Sequence, residues 1–122
     1  MREVKVLLFA LLAGGTGCSS GLTGDVDAQA ATSCPNAPSH CLRPVPSYRT
    51  VIVPILQQHC IPCHNPKGSA GHSEATYEDV YLQRSPMLDQ VAGCGMPPSG
   101  YPIHIAERGA LLDWFVCGAP DN

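Results

Sequence analysis

Residues 60–64 of this chain read CIPCH, and the triplet MPP begins at residue 96. Two cysteines three positions apart, with a histidine directly after them, allow three kinds of site: a redox disulfide, half of a zinc site, or the covalent attachment of a haem. A redox disulfide of the thioredoxin type needs a strand before it, and no strand pattern precedes Cys60. A zinc site needs a second ligand pair at similar spacing, which His72 and His104 do not form. The motif therefore favours haem attachment.

The C-x-x-C-H spacing has a direct geometric meaning for that attachment. Residues three and four apart share one face of a helix, so Cys60 and Cys63 can form thioethers to the two vinyl groups of one porphyrin while His64 lies beneath the iron. Covalent attachment also explains how so short a chain keeps a large apolar group in its core. The sequence predicts one covalently attached haem c.

A second axial ligand is expected from the opposite side of the haem. Met96 is the strongest candidate, because Pro97 and Pro98 stiffen the backbone after it and can present the thioether across the ring. The competing interpretation is a methionine that fills a gap in the core.

The other candidate ligands are weaker. Met87 is the alternative thioether. His72 and His104 are expected to be exposed polar side chains, and His59 is expected to point away from the ring.

Residues 1–17 predict a secretory signal, with a short basic start, an apolar run over residues 6–13 and small residues before Cys18. The apolar run is shorter than the roughly 20 residues of a spanning helix. The ending resembles a bacterial lipoprotein signal, in which Cys18 becomes the lipidated first residue, although Gly15 stands where a leucine is usual. A site near residues 30–31 is the alternative for ordinary signal cleavage. Both versions predict an exported protein, either a membrane-anchored lipoprotein of the cell envelope or a soluble periplasmic protein.

The charge balance restricts the partners. Seven basic and ten acidic side chains give −3, and removal of residues 1–17 would leave −4. This balance excludes a typical nucleic-acid binder. A modest negative charge suits a basic redox partner, whose identity stays open, and the lipid anchor predicts membrane association.

The chain divides into three segments. After the signal, residues 18–46 contain mainly small and polar residues without periodicity, which predicts a flexible tether followed by an irregular loop. Residues 47–122 are predicted to form the single domain. Twelve glycines and twelve prolines indicate long loops, and alternating strand patterns are absent. The predicted fold class is all-α, with a few short helices that need a cofactor or disulfides to hold them together.

Three helices are predicted within this domain. The first runs from Pro54 into CIPCH after a short turn. The second covers residues 75–85, with Thr76 as its N-cap. Residues 85–102, rich in glycine and proline, are predicted to be a loop. The third covers residues 103–120 and ends at glycine and proline stop signals.

Apolar positions on these helices predict their inward faces. On the second helix these are Tyr77, Val80 and Tyr81. On the third helix they are Ile105, Leu111, Leu112, Phe115 and Val116.

Four cysteines remain after Cys18 is assigned to lipid and the motif pair to haem. In an oxidising compartment Cys34, Cys41, Cys94 and Cys117 are expected to form disulfides, for which three connectivities exist. The predicted pairing is Cys34–Cys41, which closes a small loop, and Cys94–Cys117, which ties the MPP loop to the last helix. Buried free thiols are the alternative.

Four stretches of the chain together resemble the small class I c-type cytochromes, of the single-haem type appended to bacterial lipoproteins. They are PILQQHCIPCH at 54–64, YEDVYL at 77–82, GCGMPPSG at 93–100 and AERGALLDWFVCGAPDN at 106–122.

The resemblance implies a cytochrome c fold, in which the helix that carries the motif crosses the C-terminal helix, and axial ligation by His64 and Met96. It further implies an electron carrier of relatively positive potential rather than an enzyme. Two alternatives remain. One is a haem enzyme or gas sensor with an open sixth site near His104 and Arg108; the other is a disulfide-stapled structural lipoprotein without haem.

Overall fold

The computed structural model describes residues 34–122. The predicted signal, the lipidation site at Cys18 and the alternative cleavage site near residues 30–31 lie outside the described residues. Every regular element between residues 34 and 122 is helical and none is a strand, which confirms the all-α fold class. Within this range no helix combines the length and apolar character needed to cross a membrane.

The first helical element differs from the prediction at its C-terminal end. A π-helical segment, Tyr48–Ile52, runs directly into α1, Val53–His59, with a proline in the first turn of α1. We expected the helix to continue through CIPCH, but α1 ends at His59 and the motif lies in turns. Pro62 explains the early end, because proline has no N–H to donate and disfavours a helical conformation in the residue before it.

Helix α2, Tyr77–Ala92, begins where it was predicted and ends later. The Thr76 hydroxyl accepts a hydrogen bond from the Asp79 N–H at 3.1 Å, and the Asp79 carboxylate accepts one from the Thr76 N–H at 3.3 Å. The predicted loop at 85–102 is therefore wrong for its first half. Met87 and Val91 are buried on one face of this extension, and their packing outweighs the cost of a proline inside the helix, roughly 3 kcal/mol.

Helix α3, Ile105–Val116, is the central element of the core. Its end follows the predicted stop signal, since Gly118 adopts a φ of 87°, which glycine accepts without strain. Trp114 is fully buried, stacks on Tyr48 at a centroid distance of 5.4 Å and donates to the Pro120 carbonyl at 3.0 Å. The N-terminal π-helical segment thus packs on α3, and α3 packs on α2.

The predicted inward faces are confirmed only in part. Val80, Leu111, Leu112 and Phe115 are buried, and Tyr77 and Val116 are half-buried. Tyr81 and Ile105 are exposed, because each lies at the edge of the apolar stripe of its helix.

The predicted disulfide pairing is wrong, although all four cysteines are paired. The disulfides are Cys34–Cys94 and Cys41–Cys117, with sequence separations of 60 and 76 residues. Each connects the irregular segment 34–46 to a site far along the chain. The prediction relied on closeness in sequence, whereas the fold brings this segment beside the ends of α2 and α3.

Candidate cofactor site

A cavity of about 410 Å³ collects the predicted cofactor residues. Cys60, Cys63, His64 and Met96 all contribute to its wall. Most of the remaining wall is apolar and includes Met87 and other side chains of α2. The volume falls within the range of about 300–1,000 Å³ that is usual for cofactor and small-molecule sites.

The motif forms one additional turn at the end of α1. The Cys60 N–H donates to the Leu56 carbonyl at 2.9 Å, which continues the hydrogen-bond pattern of the helix. The N–H groups of Cys63 and His64 both donate to the Cys60 carbonyl, at 3.1 and 2.8 Å. This turn retains the spacing of three and four residues that the attachment geometry requires, even though α1 itself has ended.

The loop after the motif folds back onto it. The Ala70 N–H donates to the Cys63 carbonyl at 3.3 Å, and the Glu74 N–H donates to the His64 carbonyl at 2.8 Å. Gly68 lies so close to this turn that a Cβ on it would overlap the Cys63 carbonyl oxygen. A glycine is therefore required where the loop passes the motif.

Glu74 is a site residue that we did not predict. Its side chain is only 5% exposed, and its Oε1 lies 3.4 Å from His64 Nδ1 and 3.3 Å from His72 Nε2. His64 Nδ1 is buried and makes no hydrogen bond with good geometry. No spacing rule points to this pair, because the contact depends on closure of the loop between residues 64 and 74.

His64, His72 and Glu74 also form a potential metal-binding cluster. One ligand atom from each residue lies within 4.8 Å of the others. Two imidazoles and a carboxylate are a common set of zinc ligands. The same histidine is thus a candidate ligand for a divalent cation and for a haem iron, so the cluster offers a second use of this cavity.

The two motif cysteines are not joined to each other. Cys60 is the only free cysteine among residues 34–122, and burial, followed by the negative charge of Glu74, raises its pKa to about 12. A thiol with such a pKa is a poor nucleophile at neutral pH, which argues against a thioredoxin-like role. Cys63 is disulfide-bonded.

Main-chain contacts and one buried arginine hold the Met96 loop. Arg108, 8% exposed, donates from Nη1 to the carbonyls of Val91 and Met96, each at 2.8 Å. The Met96 N–H donates to the Gln90 carbonyl at 3.2 Å. The Cys34–Cys94 disulfide anchors the same loop two residues earlier. The alternative with an open sixth site names Arg108 as a nearby group, but its guanidinium donates to these carbonyls.

The alternative axial ligands occupy different positions. Met87 is buried and contributes to the cavity wall. His72 and His104 are exposed, as predicted, and His104 caps α3 through its Nδ1, which accepts from the Ala106 N–H at 3.3 Å. His59 also contributes to the cavity wall, and its Nε2 lies 3.2 Å from a Glu107 carboxylate oxygen.

Comparison with protein-family models, with curated protein sequences and with solved structures finds no match for this chain.

Proposed function

We propose that this chain is a mono-haem c-type cytochrome that transfers single electrons in the bacterial cell envelope. The observation that carries the proposal is the convergence of Cys60, Cys63, His64 and Met96 on one cavity, from positions spread over residues 60–96. This donor set fits a covalently attached haem with histidine and methionine as axial ligands. We further infer that the helices pack as a cytochrome c fold around that group.

Each residue has a defined role in this proposal. Cys60 and Cys63 would hold the porphyrin as thioethers, and His64 and Met96 would hold the iron. The haem supplies reversible one-electron redox chemistry. The largely apolar wall lowers the polarity around the group and methionine ligation favours the reduced iron, so both features favour a relatively positive potential.

Thioether formation at Cys63 adds a free thiol across a vinyl group, so it requires a chain in which this sulfur is not in a disulfide. A thioether and a disulfide cannot share one sulfur atom, so the haem-bound and disulfide-bonded chains are chemically distinct products. Their masses differ by one haem, and intact-protein mass spectrometry separates them.

Localisation and partners follow from the same proposal. Lipidation at Cys18 would anchor the domain to a membrane through the segment that precedes residue 34. The negative charge of the processed chain suits a basic redox partner.

The His64, His72 and Glu74 cluster favours a second candidate, a divalent-metal site in a chain that carries no haem. Two further alternatives have less support. An open-site haem enzyme or sensor lacks its suggested distal groups, since Arg108 binds carbonyls and His104 caps α3. A structural lipoprotein stapled at the motif would join Cys60 to Cys63, and Cys60 is free.

The deciding experiment is a visible spectrum of the full-length protein, oxidised and reduced, from a bacterial host that expresses the haem-attachment machinery. We expect sharp reduced α and β bands, a weak far-red sulfur-to-iron band in the oxidised form, and a mass increase of one haem. The Cys60→Ser/Cys63→Ser variant is the control and should lose covalent haem.

A wild-type protein without haem would overturn the proposal, and its zinc content would then test the second candidate. Haem without the far-red band would contradict the methionine ligand and leave a histidine or an open site.

A further inference from the structure

We propose that Glu74 is the positioning residue for the axial histidine: its carboxylate orients the His64 ring through Nδ1 and lowers the reduction potential of the haem. This inference rests on the proposed function and names Glu74 as a residue that sets the reduction potential of the haem. Glu74 would act on the iron only through His64.

Two independent contacts connect Glu74 to His64. The side-chain contact places Oε1 3.4 Å from Nδ1, and the main-chain contact joins the Glu74 N–H to the His64 carbonyl at 2.8 Å. The main-chain bond fixes the position of Glu74 relative to the motif, so the carboxylate does not depend on a flexible loop for its placement. Both side chains are shielded from water, with exposures of 5% for Glu74 and 12% for His64.

The contact distinguishes the two ring nitrogens of His64. A histidine that binds a metal uses one nitrogen and usually donates its other N–H to a carboxylate or a carbonyl. Nδ1 faces Glu74, and this leaves Nε2 for the iron. The unmet hydrogen-bonding capacity of the buried Nδ1 is consistent with a contact that tightens when the ring is fixed by a ligand.

Haem attachment would change which polar groups face the Glu74 carboxylate. In the haem-free chain the Glu74 carboxylate also acts on the Cys60 thiol, because burial, followed by the negative charge of Glu74, raises the pKa of that thiol. Thioether formation removes the S–H, so this ionisable group no longer faces the carboxylate. His64 and the more exposed His72 then remain as donors from this cluster.

A buried carboxylate against the axial histidine opposes the effect of methionine ligation. The carboxylate raises the basicity of the histidine and places negative charge near the iron, and both effects favour ferric over ferrous iron. The potential would therefore be lower than methionine ligation and an apolar wall alone would produce.

The test compares the midpoint potentials of the haem-loaded Glu74→Gln, Glu78→Gln and wild-type proteins. Glu78 lies in the exposed first turn of α2, so its substitution removes the same charge at the surface. We expect Glu74→Gln to favour the reduced form at least tenfold, a rise of about 59 mV for one electron, with the visible bands unchanged. A rise no larger than that of Glu78→Gln would overturn the proposal.

An NMR measurement and a second variant at position 74 distinguish a specific role of Glu74 from a general loss of structure. The ring N–H proton of His64, observed by NMR in the reduced protein, should shift in Glu74→Gln and not in Glu78→Gln. If Glu74→Gln does not yield holoprotein, Glu74→Asp retains the charge at shorter reach and should raise the potential by a smaller amount; an unchanged potential would count against the proposal. Absence of haem in the wild-type protein would refute the proposed function itself, whereas haem with equal potentials would refute only the role of Glu74.

Discussion

At the residue scale, the fixed position of Met96 depends on its neighbours more than on its own packing. Met96 is 37% exposed, whereas Met87 is 8% exposed, and both lie in the wall of the same cavity. A single buried arginine and the Gln90 carbonyl hold the backbone of the Met96 loop. Two thioethers are thus available to one cavity, and substituting each in turn distinguishes the proposed ligand from a core residue.

In the proposed haem-loaded protein, we expect Met96→Ala to keep the haem and lose the far-red band. The midpoint potential should fall and the iron should bind carbon monoxide, because the proposed sulfur ligand is removed. Met87→Ala is the matched control. It should keep the far-red band and instead reduce the free energy of unfolding by roughly 2–5 kcal/mol, the usual cost of a cavity left by a buried methionine. The reverse pattern would identify Met87 as the ligand.

Arg108→Met should loosen the Met96 loop, since it leaves the Val91 and Met96 carbonyls without their donor. The expected loss in unfolding free energy is roughly 2–4 kcal/mol, with a weaker far-red band in the holoprotein. Arg49→Met is the control, because the Arg49 side chain is 74% exposed and makes only a surface ion pair with Asp121 at 3.7 Å. Equal effects of the two substitutions would contradict the role given to Arg108.

At the scale of single elements, the N-terminus of α2 is determined locally and its C-terminus is not. The capping box between Thr76 and Asp79 needs only residues three apart, which is why the sequence predicts it. The continuation past Pro86 depends on the burial of Met87 and Val91 against the rest of the core. Neighbouring residues in the sequence therefore predict where this helix begins, whereas its C-terminal end depends on packing against the rest of the core.

We expect Thr76→Ala to reduce the free energy of unfolding by about 1 kcal/mol, because the Asp79 N–H loses its acceptor at the helix start. Thr50→Ala removes an exposed hydroxyl elsewhere and should change stability by no more than about 0.5 kcal/mol. Chemical denaturation of the two variants and the wild-type protein measures both values. No difference between Thr76→Ala and Thr50→Ala would show that the capping box does not stabilise the domain.

At the scale of the whole molecule, two long-range disulfides hold segment 34–46 against the helices. Cys34–Cys94 ends two residues before Met96, whereas Cys41–Cys117 ends at the C-cap of α3. Their sequence separations of 60 and 76 residues are similar, so the loop-entropy contribution should be similar too. Their effects on the candidate site should differ.

We expect Cys34→Ser/Cys94→Ser and Cys41→Ser/Cys117→Ser each to lower the unfolding free energy by roughly 2–4 kcal/mol. Only the first pair should also weaken the far-red band and speed carbon monoxide binding, because only that disulfide anchors the Met96 loop. Thermal unfolding and stopped-flow measurements on the two double variants test this difference. Equal spectra for the two double variants would show that the Cys34–Cys94 disulfide does not hold the Met96 loop in place, and would contradict this prediction.

The sequence by itself determines the features that depend on short spacing. These are the helical fold class, the start of α2, the end of α3 ahead of Gly118, and the candidate ligands on the CIPCH and MPP motifs. Short-range backbone geometry and hydrogen bonding decide them, and a few neighbouring residues are enough to specify both.

Only the tertiary structure decided the disulfide pairing, the length of α2, and the contacts that Arg108 and Glu74 make at the site. Each depends on segments far apart in sequence, or on a loop that closes on itself, so no local pattern records it. Glu74 shows this most clearly: it reaches His64 because Gly68 lets the intervening loop pass close to the Cys63 carbonyl.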